Sequence, residues 1–116
     1  MQLNYTNEQN AFRTEVREWL QTHVPREKFL SHDTKEGFEQ HRQWEATLAD
    51  GGWSSVTWPK ELGGRGCDLI QWHIFEEEYA AADAPFRVNQ NGILLLGPTL
   101  MEFGTLAQKA KFLPRM

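Results

Sequence analysis

The sequence predicts an all-α fold, a compact bundle of five to six helices with a Trp- and Gly-rich loop. Three observations predict it. Apolar residues recur at helical spacing in several stretches. Thr or Asp caps open those stretches, and Gly or Pro closes them. No stretch alternates apolar and polar residues as a half-buried strand would.

The first helix opens at Thr6-Asn7-Glu8-Gln9, a capping-box pattern in which Thr6 accepts from the Gln9 backbone and the Gln9 side chain reaches back. Phe12, Val16, Trp19 and Leu20 follow on a face roughly 100° wide. Pro25 ends this helix, since it has no N–H and pushes Val24 away from helical angles. After a polar stretch, a second helix begins near Asp33 or Thr34 and carries Phe38, His41, Trp44 and Leu48 inward. Asp50-Gly51-Gly52 stops it. Residues 53–67 read as a loop whose two indoles, Trp53 and Trp58, anchor it to the core.

Asp68 caps a third helix running to about Ala82. Trp72, Phe75, Tyr79 and Ala82 form one apolar stripe, and Ile70, Ile74 and Ala81 a second, so this helix reads as central and sandwiched. Asp83-Ala84-Pro85 breaks the chain. Ile93 to Leu96 is apolar on every side and therefore expected to be buried; its length fits a core strand as well as a helix. Gly97-Pro98 interrupts it, Pro98 suits the start of a further helix, and Gly104 closes that helix. Thr105-Leu106-Ala107-Gln108 is a second capping box, opening a short helix that ends before Pro114.

The chain has 116 residues, which fits one domain, residues 1–116, with a modest core. It is 40% hydrophobic with 5 Trp and 7 Phe, which argues against intrinsic disorder. A net charge of −4 without a clustered basic stripe makes it a poor nucleic-acid binder. Its longest apolar run is far too short for a membrane span. The N-terminus has neither the basic start nor the apolar stretch of a signal peptide. One cysteine, Cys67, excludes an internal disulfide and fits a reducing compartment, so a cytoplasmic location is expected.

No catalytic constellation emerges from the residues alone. His73 stands near Glu76 and Glu77, but a di-metal bundle needs two Glu-x-x-His motifs plus two further glutamates, and this chain has the reverse order once. Ion pairing on a solvated face is the expected role. Gly63-Gly64-Arg65-Gly66 lacks the strand and the Gly-Lys-Ser/Thr ending of a phosphate loop, and reads as a structural turn. Glu76, Glu77 and Glu78 show no sign of a general base. Cys67 lacks the His or helix context of an activated thiolate. The four histidines, at 23, 32, 41 and 73, are scattered without metal-ligand spacing.

A series of landmarks nevertheless resembles the acyl-CoA dehydrogenase family over nearly the whole chain. Trp53 follows the second helix, and Trp58-Pro59-Lys60-Glu61-Leu62-Gly63-Gly64-Arg65-Gly66 resembles the family's Trp-Pro-x-Glu-x-Gly-Gly-x-Gly loop. Phe75-Glu76-Glu77-Glu78-Tyr79-Ala80-Ala81-Ala82 is similar to the helix that follows it. Gly97-Pro98, Gly104-Thr105, Gln108-Lys109 and Leu113-Pro114 then occur in the family's order.

The resemblance implies the helical N-terminal domain of a larger subunit whose middle β-domain and C-terminal helical domain lie beyond Met116. It implies FAD as cofactor of the full-length enzyme, held elsewhere, so that this chain alone binds none and carries neither catalytic base nor cofactor-binding residue. The implied reaction turns an acyl-CoA thioester into a trans-2-enoyl-CoA and passes electrons to an electron-transfer partner. A homo- or hetero-oligomer is implied, and an apolar surface is expected where the absent domains dock. By alignment on Pro98, the resemblance places Phe86, Arg87, Gln90, Asn91 and Leu94 at the acyl cavity. Such a lining is too polar for a straight alkyl chain, which implies a shorter, branched or oxygenated acyl group. A second expectation, of a different class, is a non-catalytic helical interaction module derived from that family.

Overall fold

The structure is a computed structural model that describes residues 4–116. Every regular element among them is helical: α1 (Asn7–His23), α2 (Lys35–Asp50), α3 (Leu69–Ala81), α4 (Gly97–Phe103) and α5 (Leu106–Phe112). Short 3-10 turns cover Lys60–Leu62 and Leu113–Arg115, and a wide π turn covers Gly92–Leu96. The chain forms two units. One joins the N-terminal segment up to Lys28 with Cys67–Pro85; the other joins Phe29–Gly66 with Phe86–Met116.

The first unit is the pair α1 and α3, which pack on one another. Thr6 caps α1 through the expected reciprocal box, its hydroxyl accepting from Gln9 N–H at 3.1 Å while its own N–H donates to Gln9 Oε1 at 2.8 Å. Asp68 caps α3 the same way with Gln71. Phe12, Val16 and Leu20 are buried on α1, and Ile74, Phe75, Glu78 and Tyr79 on α3. The second apolar stripe of α3 therefore splits, because Ile74 is fully buried while Ile70 and Ala81 are exposed. Trp72 is half-buried. The inward position between these residues is taken by a carboxylate, Glu78, which apolar periodicity cannot flag. Arg17 grips it through Nε at 2.6 Å and Nη2 at 3.1 Å, and Arg13 through Nη1 at 2.8 Å. These guanidiniums, Arg17 first, hold the Glu78 carboxyl below the usual range.

In the second unit Thr34 caps α2, accepting from Gly37 N–H. The buried face of α2 runs through Gly37, His41, Trp44 and Leu48. Phe38, expected inward, is 46% exposed. The inward position one turn before His41 belongs to Gly37, and a Cβ there would lie 1.9 Å from the Ser31 carbonyl oxygen. The loop behind α2 is anchored as expected, with Trp53, Val56 and Trp58 buried. Arg65 stacks over Trp53 at 3.3 Å and donates to the carbonyls of Gly52 and Gly51, placing a cation at the C-terminal end of α2.

The expected break at Gly97-Pro98 is absent. Helical backbone runs unbroken from Gln90 through the π turn into α4. The reason is a matter of hydrogen-bond accounting. Gly97 N–H reaches back to Gly92, a residue further than in an α-helix. The next residue is proline and has no N–H to give, so the Ile93 carbonyl lacks a donor within the helix. Trp58 supplies one: its indole N–H donates to Ile93 O at 2.8 Å in a buried bond. The indole lies so close that a Cβ on residue 97 would come within 2.3 Å of Trp58 Cζ2. Trp58, Ile93 and Leu113 form the core of this unit, with Leu100, Met101 and Met116 against them. Only Ile93 of the apolar run is buried, because its neighbours turn away from that one indole; Leu94, Leu95 and Leu96 are 37, 63 and 51% exposed. The second capping box, Thr105 with Gln108, is formed. Phe103 and Leu106 are also strongly exposed, giving this unit an apolar surface.

Candidate functional site

The residues assigned to a ligand cavity by sequence lie on the segment 86–94, so the site is built from what holds that segment. His41, buried on α2, meets it first. Its Nδ1 lies 2.7 Å from the Phe86 carbonyl oxygen and its Nε2 3.2 Å from that of Leu30. Carbonyl oxygens only accept, so each contact calls for an N–H; a neutral imidazole supplies one and an imidazolium both. The Phe86 ring stacks on His32, with centroids 4.5 Å apart.

One helical turn beyond His41, the Glu45 carboxylate accepts from Asn89 N–H at 2.9 Å. Burial pushes the Glu45 carboxyl up, while the backbone N–H groups of Asn89 and Val88, together with Arg87 and His41, hold it back. Two polar side chains of α2 thus bond to the backbone at Phe86 and Asn89 rather than to its side chains. Downstream, Trp58 fixes the Ile93 carbonyl.

A cavity of about 520 Å³ opens between this segment and α2. Phe38, Arg42 and Glu45 line it from α2, Arg87 and Gln90 from the segment, and Arg115 from the C-terminal turn. Of the five assigned residues, Arg87 and Gln90 come together here. Phe86 is 58% exposed and held against His32, Asn91 is exposed, and Leu94 is 37% exposed; none of the three lines this cavity. Sequence reading placed His41 inward but missed its bond to Phe86, and missed Glu45 altogether. The available signal was their spacing of four, which puts both on one face of α2.

The first unit has its own cavity of about 570 Å³, walled by Tyr5, Gln9, Leu69, Ile70, Trp72 and His73 among others. On α3, Glu77 contacts Arg13 at 3.0 Å and His73 at 3.2 Å, Glu78 pairs with both arginines, and Glu76 accepts from the Trp72 indole N–H at 3.2 Å. Among the described residues no group of three or more His, Cys, Asp or Glu side chains is arranged to hold a metal ion. Nor is any described helix long and apolar enough to cross a membrane.

Comparison with known proteins adds the following. The family model described as acyl-CoA dehydrogenase, N-terminal domain, matches residues 6–116. Acyl-CoA dehydrogenase IpdE1 of Mycobacterium tuberculosis is 45% identical over 111 residues, covering 90% of this chain and 29% of the relative. Its namesake in Mycolicibacterium smegmatis is 43% identical, covering 94% and 29%. Among solved structures, the ChsE4-ChsE5 complex from Mycobacterium tuberculosis superposes with a TM-score of 0.79 at 35% identity, covering 99% of this chain and 28% of that one. The Tcur3481-Tcur3483 steroid ACAD gives 0.78 at 31%, covering 98% and 29%. The chain therefore spans less than a third of the proteins it matches.

Proposed function

The chain belongs to the acyl-CoA dehydrogenase family, as its N-terminal domain, and from that premise we propose that it walls part of the acyl pocket of a flavin-dependent enzyme oxidising an acyl-CoA thioester to a trans-2-enoyl-CoA. The observation that carries this reading is the cavity of about 520 Å³ into which Arg87 and Gln90 converge. Phe86, Asn91 and Leu94 lie outside it. On this reading they meet substrate or the rest of the subunit on the exposed side of the same segment.

FAD would supply the hydride acceptor that no side chain provides. The glycine loop does not offer a flavin cradle. In the glycine loop the N–H groups are already used: Gly63 donates to the Lys60 carbonyl, Gly64 to that of Pro59 and Gly66 to that of Trp58. On this reading flavin, catalytic base and electron-transfer partner belong to other parts of a longer protein or its assembly. The two-chain neighbours support a partner subunit, and a cytoplasmic location remains part of the proposal.

The wall also bears on the substrate. A straight alkyl chain filling this cavity would strip water from polar lining such as Gln90, and a buried polar group left unpaired costs about 1–3 kcal/mol. An oxygenated acyl group supplies a hydrogen-bond partner and a shorter or branched one leaves room for water, so each avoids that cost. The similarity to a steroid ACAD supports a steroid-derived acyl-CoA as the class. Turnover of the full-length enzyme on steroid-derived acyl-CoAs and on straight-chain acyl-CoAs tests it. A higher kcat/KM on the steroid substrates is expected, and a clear preference for long saturated chains overturns the proposal.

A further inference from the structure

Two side chains of α2, His41 and Glu45, grip the backbone of the segment that lines the cavity. We propose that His41 and Glu45 are positioning residues that fix the backbone of residues 86–89 so that Arg87 and Gln90 face the cavity; the inference rests on the reading that this cavity receives the acyl group.

The geometry carries it. His41 and Glu45 are four residues apart on α2 and therefore project from the same face. His41 Nδ1 reaches the Phe86 carbonyl at 2.7 Å, and Glu45 Oε1 receives the Asn89 N–H at 2.9 Å. Between these two fixed peptide groups lie only Arg87 and Val88. A chain pinned at both ends over so short a stretch has little freedom to rotate, so the direction of the Arg87 side chain is set from α2. Gln90 begins the helix immediately after the second pin and inherits its orientation. His41 is also tied to Leu30 and lies edge-on to Phe29, with ring centroids 5.1 Å apart, so the first pin is itself held. Neither side chain has to touch substrate for this role.

Two measurements test the proposal with different failure modes. The first is backbone amide exchange in this 116-residue chain, comparing Glu45→Ala and Glu45→Gln with the wild type. Loss of a hydrogen bond to a charged acceptor is expected to speed Asn89 exchange roughly ten- to a hundredfold. Amides of α1 should keep their rates. Gln retains a carbonyl acceptor and should restore most of the protection. Unchanged Asn89 exchange in Glu45→Ala overturns the proposal, and so does a uniform acceleration across the whole chain, which marks general destabilisation. His41→Gln, with a flexible carboxamide in place of the ring, should loosen the segment at Phe86 and leave Asn89 protected by Glu45.

The second measurement is steady-state kinetics of the full-length enzyme on its preferred acyl-CoA. Glu45→Ala is expected to raise KM roughly tenfold with kcat within about twofold, the pattern of lost positioning rather than lost chemistry, and Glu45→Gln should restore KM. A segment loosened by exchange with KM unchanged overturns the link to substrate. If the wild-type full-length protein turns over no acyl-CoA, the proposed function falls, while the exchange result alone decides whether His41 and Glu45 hold the segment.

Discussion

Trp58 performs two tasks at one position, and they pull against each other under substitution. Its N–H satisfies the Ile93 carbonyl, which the π turn and Pro98 leave without a helical donor, and its ring occupies the space that a side chain at position 97 would need. Trp58→Phe keeps the apolar bulk but leaves that buried carbonyl unpaired, an expected loss of about 1–3 kcal/mol in urea unfolding. Gly97→Ala pushes a methyl group into the indole, costing on the order of 1–3 kcal/mol by overpacking. A phenyl ring lacks the Cζ2 and Cη2 atoms that crowd this methyl. The double variant should therefore lose less than the sum of the singles, with a coupling of at least about 0.5 kcal/mol. Strict additivity would mean that the close approach of residues 58 and 97 is relieved elsewhere.

At the scale of elements, α1 and α3 are joined by burial and by one carboxylate with two guanidiniums. The Glu78 side chain is 7% exposed, whereas those of Arg13 and Arg17 are 20% and 56% exposed. If the acid is removed, both arginines still reach water, so the penalty stays below that of stranding a buried charge. Glu78→Gln is expected to destabilise the helix pair by roughly 1–3 kcal/mol through weaker hydrogen bonds, read as a lower unfolding midpoint in urea. Glu78→Leu should cost less than Glu78→Ala, because it refills the space between Ile74 and Tyr79. A Glu78→Gln midpoint equal to the wild type would show that the network orients the helices without stabilising them.

Across the molecule, two kinds of glutamate give stability opposite dependences on pH. Glu78 and Glu77 are held low by their arginine partners, so the folded state binds fewer protons than the unfolded one near the ordinary glutamate value of 4.5. Their contribution is complete above that value and is lost as pH falls through their depressed values. Glu45 is pushed up by burial, so over the interval between 4.5 and its raised value the folded state binds more protons, and stability from this group rises as pH falls. In thermal unfolding followed from pH 7 downward, Glu78→Gln should lose less stability than the wild type below about pH 4.5. Glu45→Gln should remove the opposing gain at the higher end of the range. An acid limb unchanged by Glu78→Gln would exclude this pair as the acid-sensitive element.

The sequence by itself determined where four of the helices begin. Thr6, Thr34, Asp68 and Thr105 cap through contacts to residues three positions away, and such local bonds are written in the order of residues. It also determined the anchored tryptophan loop and, through the order of its landmarks, the family. Tertiary structure decided which apolar residues are covered. Leu94 to Leu96 and Ile70 are as apolar as Ile93 and Ile74, yet exposure depends on which surface meets them, and that surface comes from distant parts of the chain. It decided that Glu78 lies inside a helix pair, because its guanidinium partners are 61 and 65 residues away. It likewise decided that His41 and Glu45 meet Phe86 and Asn89 across gaps of 45 and 44 residues. Local hydrogen bonding is legible in a short window of sequence; a long-range contact is fixed only when the chain folds back on itself.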